Sequence, residues 1–497
     1  MTHQLTTSDK RWVTLGIGIS AFMIAAELYI VGAMIPILVE DFHTTFATAQ
    51  WIILIYTLVL TVLVLTVARL GDMFDKKLLF LSGLVLFTIS SLFCGLAPNI
   101  AFLITFRGLQ GLGAVLVWAL RNAIIAEIFP QQERGRALGR VTGLASLGLA
   151  LGPGLGGLLI GFGGWRLVFW VNLPIGIIAS IIVAKYLPSC VGSGLRKSFD
   201  VIGFLLMSLT LSCFVLGITR LQDNGFGDLK EIILIALAAI GLVCFLLLES
   251  RLEEPILDLK MLRSPSFSFY LLLFGMIYII AGIIQLALPL FLELVLHYSP
   301  QKVGLLLTVL PLASVVIAPI TGSVCDHFGE RIVSLFGLLL IAIGCLTGSN
   351  LNLETTTMGF CIRGILIEVG LISSIIPITN IVMEAVEHKK LGITSGLLAL
   401  SRTLGIVIGT CLFSILFSRV TVYNTQLLTG NNVTSESHQL LDIATAPVGA
   451  LIKGIDTTFV TMTLITFASI MLAVFLWWQS ANTSKANIEV LIVTSKN

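Results

Sequence analysis

Apolar and polar positions along this chain fall into long blocks, not the short periods of a soluble helix or strand. Fourteen apolar runs, at about 12–36, 49–69, 78–97, 101–126, 138–161, 167–187, 201–221, 230–249, 267–296, 302–324, 332–350, 356–384, 391–418 and 456–478, are separated by short polar breaks. An α-helix rises about 1.5 Å per residue and the hydrocarbon of a bilayer is about 30 Å thick, so each run predicts one spanning helix. A segment crossing lipid must satisfy its own backbone hydrogen bonds, which a helix does within itself. The expected fold is an all-α membrane protein with 14 helices.

Composition agrees. Of 497 residues, 57% are hydrophobic and 11% charged, whereas soluble domains carry about 25% charged residues. The net charge of +2 comes with no long basic run, so nucleic acid is not an expected partner. The eight cysteines are scattered without a CxxC, and the six histidines fall in loops or at helix ends. That pattern supplies neither a disulfide framework nor a metal centre. No nucleophile–base set stands out either, and an enzyme is not expected.

The basic residues orient the chain. With the N-terminus inside, nineteen of the 29 Lys and Arg residues fall in inside loops and tails, six fall outside, and four (Arg107, Arg121, Arg363, Arg402) lie within helices. Lys and Arg favour the cytoplasmic side. Both termini are therefore expected to be cytoplasmic, in the cytoplasmic (inner) membrane.

A weak repeat divides the chain. Asp72 and Asp326 close similar polar loops 254 positions apart, and Arg107-Gly108 and Arg363-Gly364 lie 256 apart. Two six-helix units separated by an inserted helix pair would give this offset, with a substrate site between parallel halves near the midplane. The expected boundaries are an N-terminal bundle over 1–190, an inserted pair over 191–265 and a C-terminal bundle over 266–497. The two bundles are expected to be related by a pseudo-twofold axis.

Only two acids are expected within the hydrocarbon, Glu27 and Glu368. Burying a charge there costs on the order of 3 kcal/mol on insertion scales, so such a residue marks a wet path, a partner charge or a cationic ligand. Counting along the helices places Arg107 at nearly the depth of Glu27, within reach of a hydrogen bond. The guanidinium favours the ionised carboxyl and burial favours the protonated one. Glu27 is expected to be wet and titratable between two rocking halves; the alternative is a static buried pair. Glu368 and Arg402, near mid-membrane on consecutive helices, are read as a structural salt bridge or as a second proton site.

Three motifs carry a family resemblance over nearly the whole chain. Ala68-Arg-Leu-Gly-Asp72-Met-Phe-Asp75-Lys76-Lys77, Arg107-Gly-Leu-Gln110-Gly111-Leu-Gly113 and Gly148-Leu-Ala-Leu-Gly152-Pro153-Gly154-Leu-Gly156-Gly157 resemble signatures of the major facilitator superfamily, in its fourteen-helix drug:proton antiporter branch. The first departs from the signature at Ala68 and Asp75, where the family carries glycine. Gly148, Gly152 and Gly156 are four apart and form a stripe that permits close helix approach, while Pro153 bends its helix. Glu27 with Pro36 and Asp41, Trp51 with Tyr56, and Gly164-Trp165-Arg166 through Asn172 and Gly176 resemble further signatures of the branch. Ser401-Arg402-Thr403-Leu404-Gly405 resembles another, without the acid that some members carry there.

The resemblance implies a secondary transporter. Glu27, Arg107, Glu368 and Arg402 are expected to handle the proton or a substrate cation, and Trp51, Tyr56, Gln110 and Asn122 to line a central cavity. Asp72, Lys76, Lys77, Arg134, Asp326 and Arg331 are expected to gate. The expected activity is proton-coupled export of amphipathic, cationic drugs or toxic compounds; the alternative is the same fold with a dedicated metabolite, lipid or siderophore substrate. No cofactor is expected beyond the proton gradient. Expected partners are the small molecule, protons and membrane lipid for a monomer, with a periplasmic adaptor and outer-membrane channel if the cell has an outer membrane.

Overall fold

The structure, a computed structural model, describes residues 6–34, 37–38, 41–44, 46–189, 200–224, 229–252, 259–298, 300–387, 390–429 and 446–494. Pro36 and the centre of the predicted 419–455 loop lie outside the described residues, and so does the first domain boundary at 190/191. No strand occurs among the described residues.

The six helices of the first half are α1 Thr7–Ile30, α2 Phe46–Met73, α3 Lys76–Gly95, α4 Ile100–Ile128, α5 Gln131–Gly163 and α6 Trp165–Tyr186. Then follow α7 Val201–Asn224, α8 Leu229–Glu249, α9 Pro265–Leu290, α10 Pro300–Phe328, α11 Glu330–Gly348, α12 Thr357–Glu384, α13 Leu391–Thr429 and α14 Val448–Thr494. Each predicted run falls on one of these helices. Their starts are set by polar caps that satisfy orphan backbone donors. Thr6 and Asp9 form a reciprocal capping box on α1, Asn99 Oδ1 accepts from Phe102 N at 2.9 Å on α4, and Thr356 Oγ1 accepts from Gly359 N at 3.1 Å on α12.

The count of full crossings is lower than the sequence predicts. Eleven helices among the described residues are long and apolar enough to span a bilayer, or twelve with α5. Helix α5 bends by 51° between Gln131–Gly152 and Gly154–Gly163, with Pro153 at the junction, where its missing N–H breaks the ladder. Helix α7 is apolar only over Ile202–Ile218. Helix α1 gives way at Val31–Met34 to a 3₁₀ turn.

The neighbours of each helix repeat between halves. Helix α1 packs on α5 and α6, α3 on α4 and α6, and α2 on α4. In the same order, α9 packs on α13 and α14, α11 on α12 and α14, and α10 on α12. The halves meet where α5 lies on α10 and where α13 lies on α2 and α4. Helices α7 and α8 pack on each other, and α7 reaches both halves by touching α2 and α13. Consistent with that peripheral place, α8 turns Ile233, Leu237, Ile240 and Leu247 outward.

Candidate functional site

A fully buried polar cluster lies inside the first half. Glu27 on α1 is 0% exposed and Arg107 on α4 1%. Arg107 Nη1 donates to Glu27 Oε1 at 2.7 Å and to Gln110 Oε1 at 2.6 Å, and Arg107 Nε donates to the Ile52 carbonyl at 3.0 Å. Gln110 Nε2 donates to Glu27 Oε1 at 3.3 Å and to Ser91 Oγ at 2.7 Å. Asn172 Nδ2 on α6 donates to Glu27 Oε2 at 2.7 Å. The Arg107 guanidinium also lies 4.4 Å from the centroid of the Tyr56 ring. Both carboxylate oxygens are thus engaged, and five helices close around the pair.

This places Glu27 differently from the sequence expectation. Its contact with Arg107 is present, but the carboxylate does not reach the central cavity. Tyr56 and Gln110 do not line it either, because they are committed to the same cluster; Trp51 is 37% exposed and also lies off it. Asp41 accepts from Trp165 Nε1 at 2.8 Å, linking two of the signature segments. Asn172 and Ser91 complete the network and were not singled out as site residues. Asn172 sits within a recognised signature, which was the available signal.

A cavity of about 440 Å³ lies between the halves, lined from α4, α5, α9, α10, α12 and α13. That is the size of a small-molecule site. Its wall is mostly aliphatic, and its polar groups include Asn122, Arg121, Gln285, Glu368 and Arg402. Glu368 is the acidic residue among the described lining, and its Oε1 accepts from Ser314 Oγ at 2.6 Å. The expected Glu368–Arg402 salt bridge is not made. Glu368 on α12 and Arg402 on α13 turn to different partners, although the two helices touch each other and both pack on α9. Arg402 instead lies 4.4 Å from the Trp118 ring centroid and 5.2 Å from that of Tyr278.

At one end the halves are tied together. Asp72 Oδ1 and Oδ2 accept from the first backbone amides of α13, Gly392 N at 2.8 Å and Ile393 N at 2.9 Å. A carboxylate at a helix N-terminus satisfies orphan donors and complements the helix dipole. In the mirrored place, Asp326 on α10 pairs with Arg136 on α5 at 3.1 Å. Lys76 binds Glu127 at 3.0 Å, Arg134 Nη2 donates to the Ala126 carbonyl at 2.8 Å, and Arg331 bonds the Tyr270 side chain. Those three contacts stay within one half. Lys77 gives its backbone N–H to Asp75 Oδ1 at the start of α3.

Two glycine stripes shape α5. A Cβ at Gly148 would collide with the Phe22 carbonyl, and one at Gly156 would lie 3.2 Å from the Ile30 carbonyl, so this motif packs α5 on α1 within its own half. Gly152 is buried, whereas a Cβ at Gly157 would meet nothing within 4 Å. The interface between halves uses a second stripe that the sequence analysis missed. A Cβ at Gly139 would come within 2.6 Å of the Ala318 carbonyl, and one at Gly135 within 3.2 Å of the Gly322 carbonyl. The four-residue spacing of Gly135, Gly139 and Gly143 was the signal.

A polytopic helical bundle with a small-molecule-sized cavity between its halves is the architecture of a membrane transporter. The model of the Major Facilitator Superfamily matches residues 17–410 and again 270–491, and the chain belongs to that family. It is 31% identical to the multidrug resistance protein Stp of Mycobacterium tuberculosis over 79% of this chain and 73% of that protein. It is 30% identical to the riboflavin transporter RibZ of Clostridioides difficile over 84% of this chain and 90% of that protein. It is also 30% identical to the tetracenomycin C resistance and export protein of Streptomyces glaucescens, over 82% and 76%. The human organic anion transporter MFSD10 has the same fold, with a TM-score of 0.66 over 93% of this chain and 99% of that one at 13% identity.

Proposed function

We infer that this chain is a proton-coupled antiporter that exports amphipathic small molecules. The observation that carries this reading is the largely aliphatic cavity between the halves with Glu368 in its wall, held by one neutral hydroxyl. The aliphatic wall supplies affinity without demanding one substrate shape. Glu368 takes a proton or a donor group of the substrate, and competition between them couples the two fluxes. Relatives named for multidrug resistance and for tetracenomycin C export support the export reading.

In this scheme the chain is two six-helix bundles related by a pseudo-twofold axis, with α7 and α8 as an inserted pair and fourteen crossings in all. The repeated neighbour pattern supports that plan. The Lys and Arg bias puts both termini on the cytoplasmic side of the inner membrane, where the end closed by Asp72, Arg136 and Asp326 then faces the cytoplasm. Breaking those contacts opens the cavity to that side. Glu27 and Arg107 keep the first bundle rigid as it rocks, and the protein works as a monomer.

The test is efflux from proteoliposomes under an imposed proton gradient. Wild type accelerates dye efflux when the gradient is applied, and Glu368→Gln loses that acceleration. Gradient-driven efflux that persists in Glu368→Gln refutes Glu368 as the coupling group. A second reading, a transporter dedicated to one metabolite, is favoured by the relative named a riboflavin transporter. Saturable uptake or export of one flavin-like compound, with no effect of unrelated drugs, would select it.

A further inference from the structure

The cavity carries two arginines that Glu368, the acid of its described lining, does not neutralise. Arg121 on α4 is 9% exposed, and its Nε and Nη1 are buried with no hydrogen-bond partner. Its guanidinium lies 3.9 Å from the centroid of the Trp118 ring. Arg402 on α13 lies 4.4 Å from the same ring, so two guanidinium groups, one from each half of the molecule, lie against Trp118. Neither arginine forms an ion pair among the described residues, and both line the cavity with Trp118 and Tyr278.

Arg107 on the same helix shows what an arginine with a purely architectural role looks like here. Its Nε and Nη1 are bonded to Ile52, Glu27 and Gln110. Buried donors are almost always paired, and a planar guanidinium is shaped to grip a carboxylate through two parallel N–H donors while stacking on a ring. Arg121 leaves its buried Nε and Nη1 without partners next to the cavity, beside a second cation. Two like charges sharing one ring repel, and an anion between them removes the repulsion.

We propose that Arg121, Arg402 and Trp118 form a subsite for an acidic group borne on an aromatic ring, so that the preferred cargo carries a carboxylate, sulfonate or phenolate at one end. This rests on the export reading above and replaces the cationic drugs expected from the sequence with acidic or zwitterionic aromatic compounds. Glu368, on α12, is then left for the proton or for a donor at the other end of the same molecule. Because α4 and α13 belong to different halves, the bound anion also holds the halves together on one side of the cavity.

The test compares two dyes that differ only in charge at one group: tetramethylrhodamine with a free benzoate, and its methyl ester. Fluorescence anisotropy with the purified full chain in detergent gives both affinities. Wild type binds the acid at least about tenfold more tightly than the ester, as expected for a hydrogen bond between charged groups. Arg121→Gln and Arg402→Gln each bring the ratio close to one, Arg402→Lys keeps part of the preference, and Trp118→Leu weakens both dyes alike. Size-exclusion profiles check that each variant is folded, and the lysine variant keeps the comparison decisive if a glutamine variant is not. Equal binding of acid and ester to wild type, binding of neither, or a preference that survives both glutamine substitutions overturns the subsite. Gradient-driven efflux of the ester is read separately: its persistence with no acid preference leaves the transport reading standing, and its absence with a strong acid preference does the reverse.

Discussion

Replacing Glu27 with glutamine separates the two roles open to this carboxyl. The side chain is 0% exposed and its partner Arg107 1% exposed, with 2.7 Å between Oε1 and Nη1. Glutamine keeps an acceptor for Arg107 but removes the countercharge, and it turns an amide donor toward Asn172 Nδ2, which already donates. Breaking one side of a buried ion pair costs about 3–5 kcal/mol because the remaining charge stays desolvated. Reversible unfolding in mixed detergent micelles, applied to Glu27→Gln, Arg107→Gln and the double variant, measures this. Each single substitution is expected to lose about 3–5 kcal/mol, and the double variant much less than their sum, with a coupling near 3 kcal/mol. A group that exists to exchange protons behaves otherwise: glutamine then imitates its protonated form, folds normally and abolishes only the response to the gradient. Wild-type stability of Glu27→Gln, or a coupling below about 0.5 kcal/mol, would refute the architectural reading and return Glu27 to the role expected from its depth in the membrane.

Four further substitutions probe how the helices move and pack. Asp72→Asn removes the charge from two hydrogen bonds to the start of α13; it should weaken the closed end by about 1.5–3 kcal/mol and widen spin-label distances between α2 and α13, and unchanged distances would count against the latch. Gly139→Val presses a side chain onto the Ala318 carbonyl across the halves; with about 1–3 kcal/mol of overpacking it should favour the opposite conformation, seen as increased α5–α10 distances with little change in expression. Gly148→Val collides with the Phe22 carbonyl within one half and should lower both yield and melting temperature. Gly157→Ala, which meets nothing within 4 Å, should leave them unchanged or slightly improved, since alanine favours helix by up to about 1 kcal/mol. Similar behaviour of the last two would show that the glycine motif is not a packing device.

Helix existence was readable because lipid imposes one length scale on every run, and the same arithmetic brought Glu27 to the depth of Arg107. Depth is a coordinate along one axis only. It could not say which way side chains would turn on α12 and α13, which touch each other and share α9 as a neighbour, and so Glu368 was paired with an arginine it does not meet. The glycines of α5 show the same limit: the recognised stripe at 148, 152 and 156 serves one half, and the unrecognised one at 135, 139 and 143 joins the two.

Helix α4 makes the point most sharply. Arg107 and Arg121 are fourteen residues apart, about 21 Å along the axis, and at about 100° per residue they project within roughly 40° of each other. Nothing in their spacing distinguishes a residue of the closed cluster from one at the cavity wall. Their surroundings do. Near Arg107 the helix is faced by Glu27 of α1, the Ile52 carbonyl of α2 and Asn172 of α6, which together consume the available polar groups. Near Arg121 it is faced by α13, where Ser395 donates to the Ala119 carbonyl and Arg402 brings a second cation in place of an anion. Only the path of α4 from the interior of one half to the junction of both converts one helical face into two environments, and that path is a property of the packed molecule. The local hint was Trp118 three residues before Arg121, a spacing that puts an aromatic face beside the guanidinium.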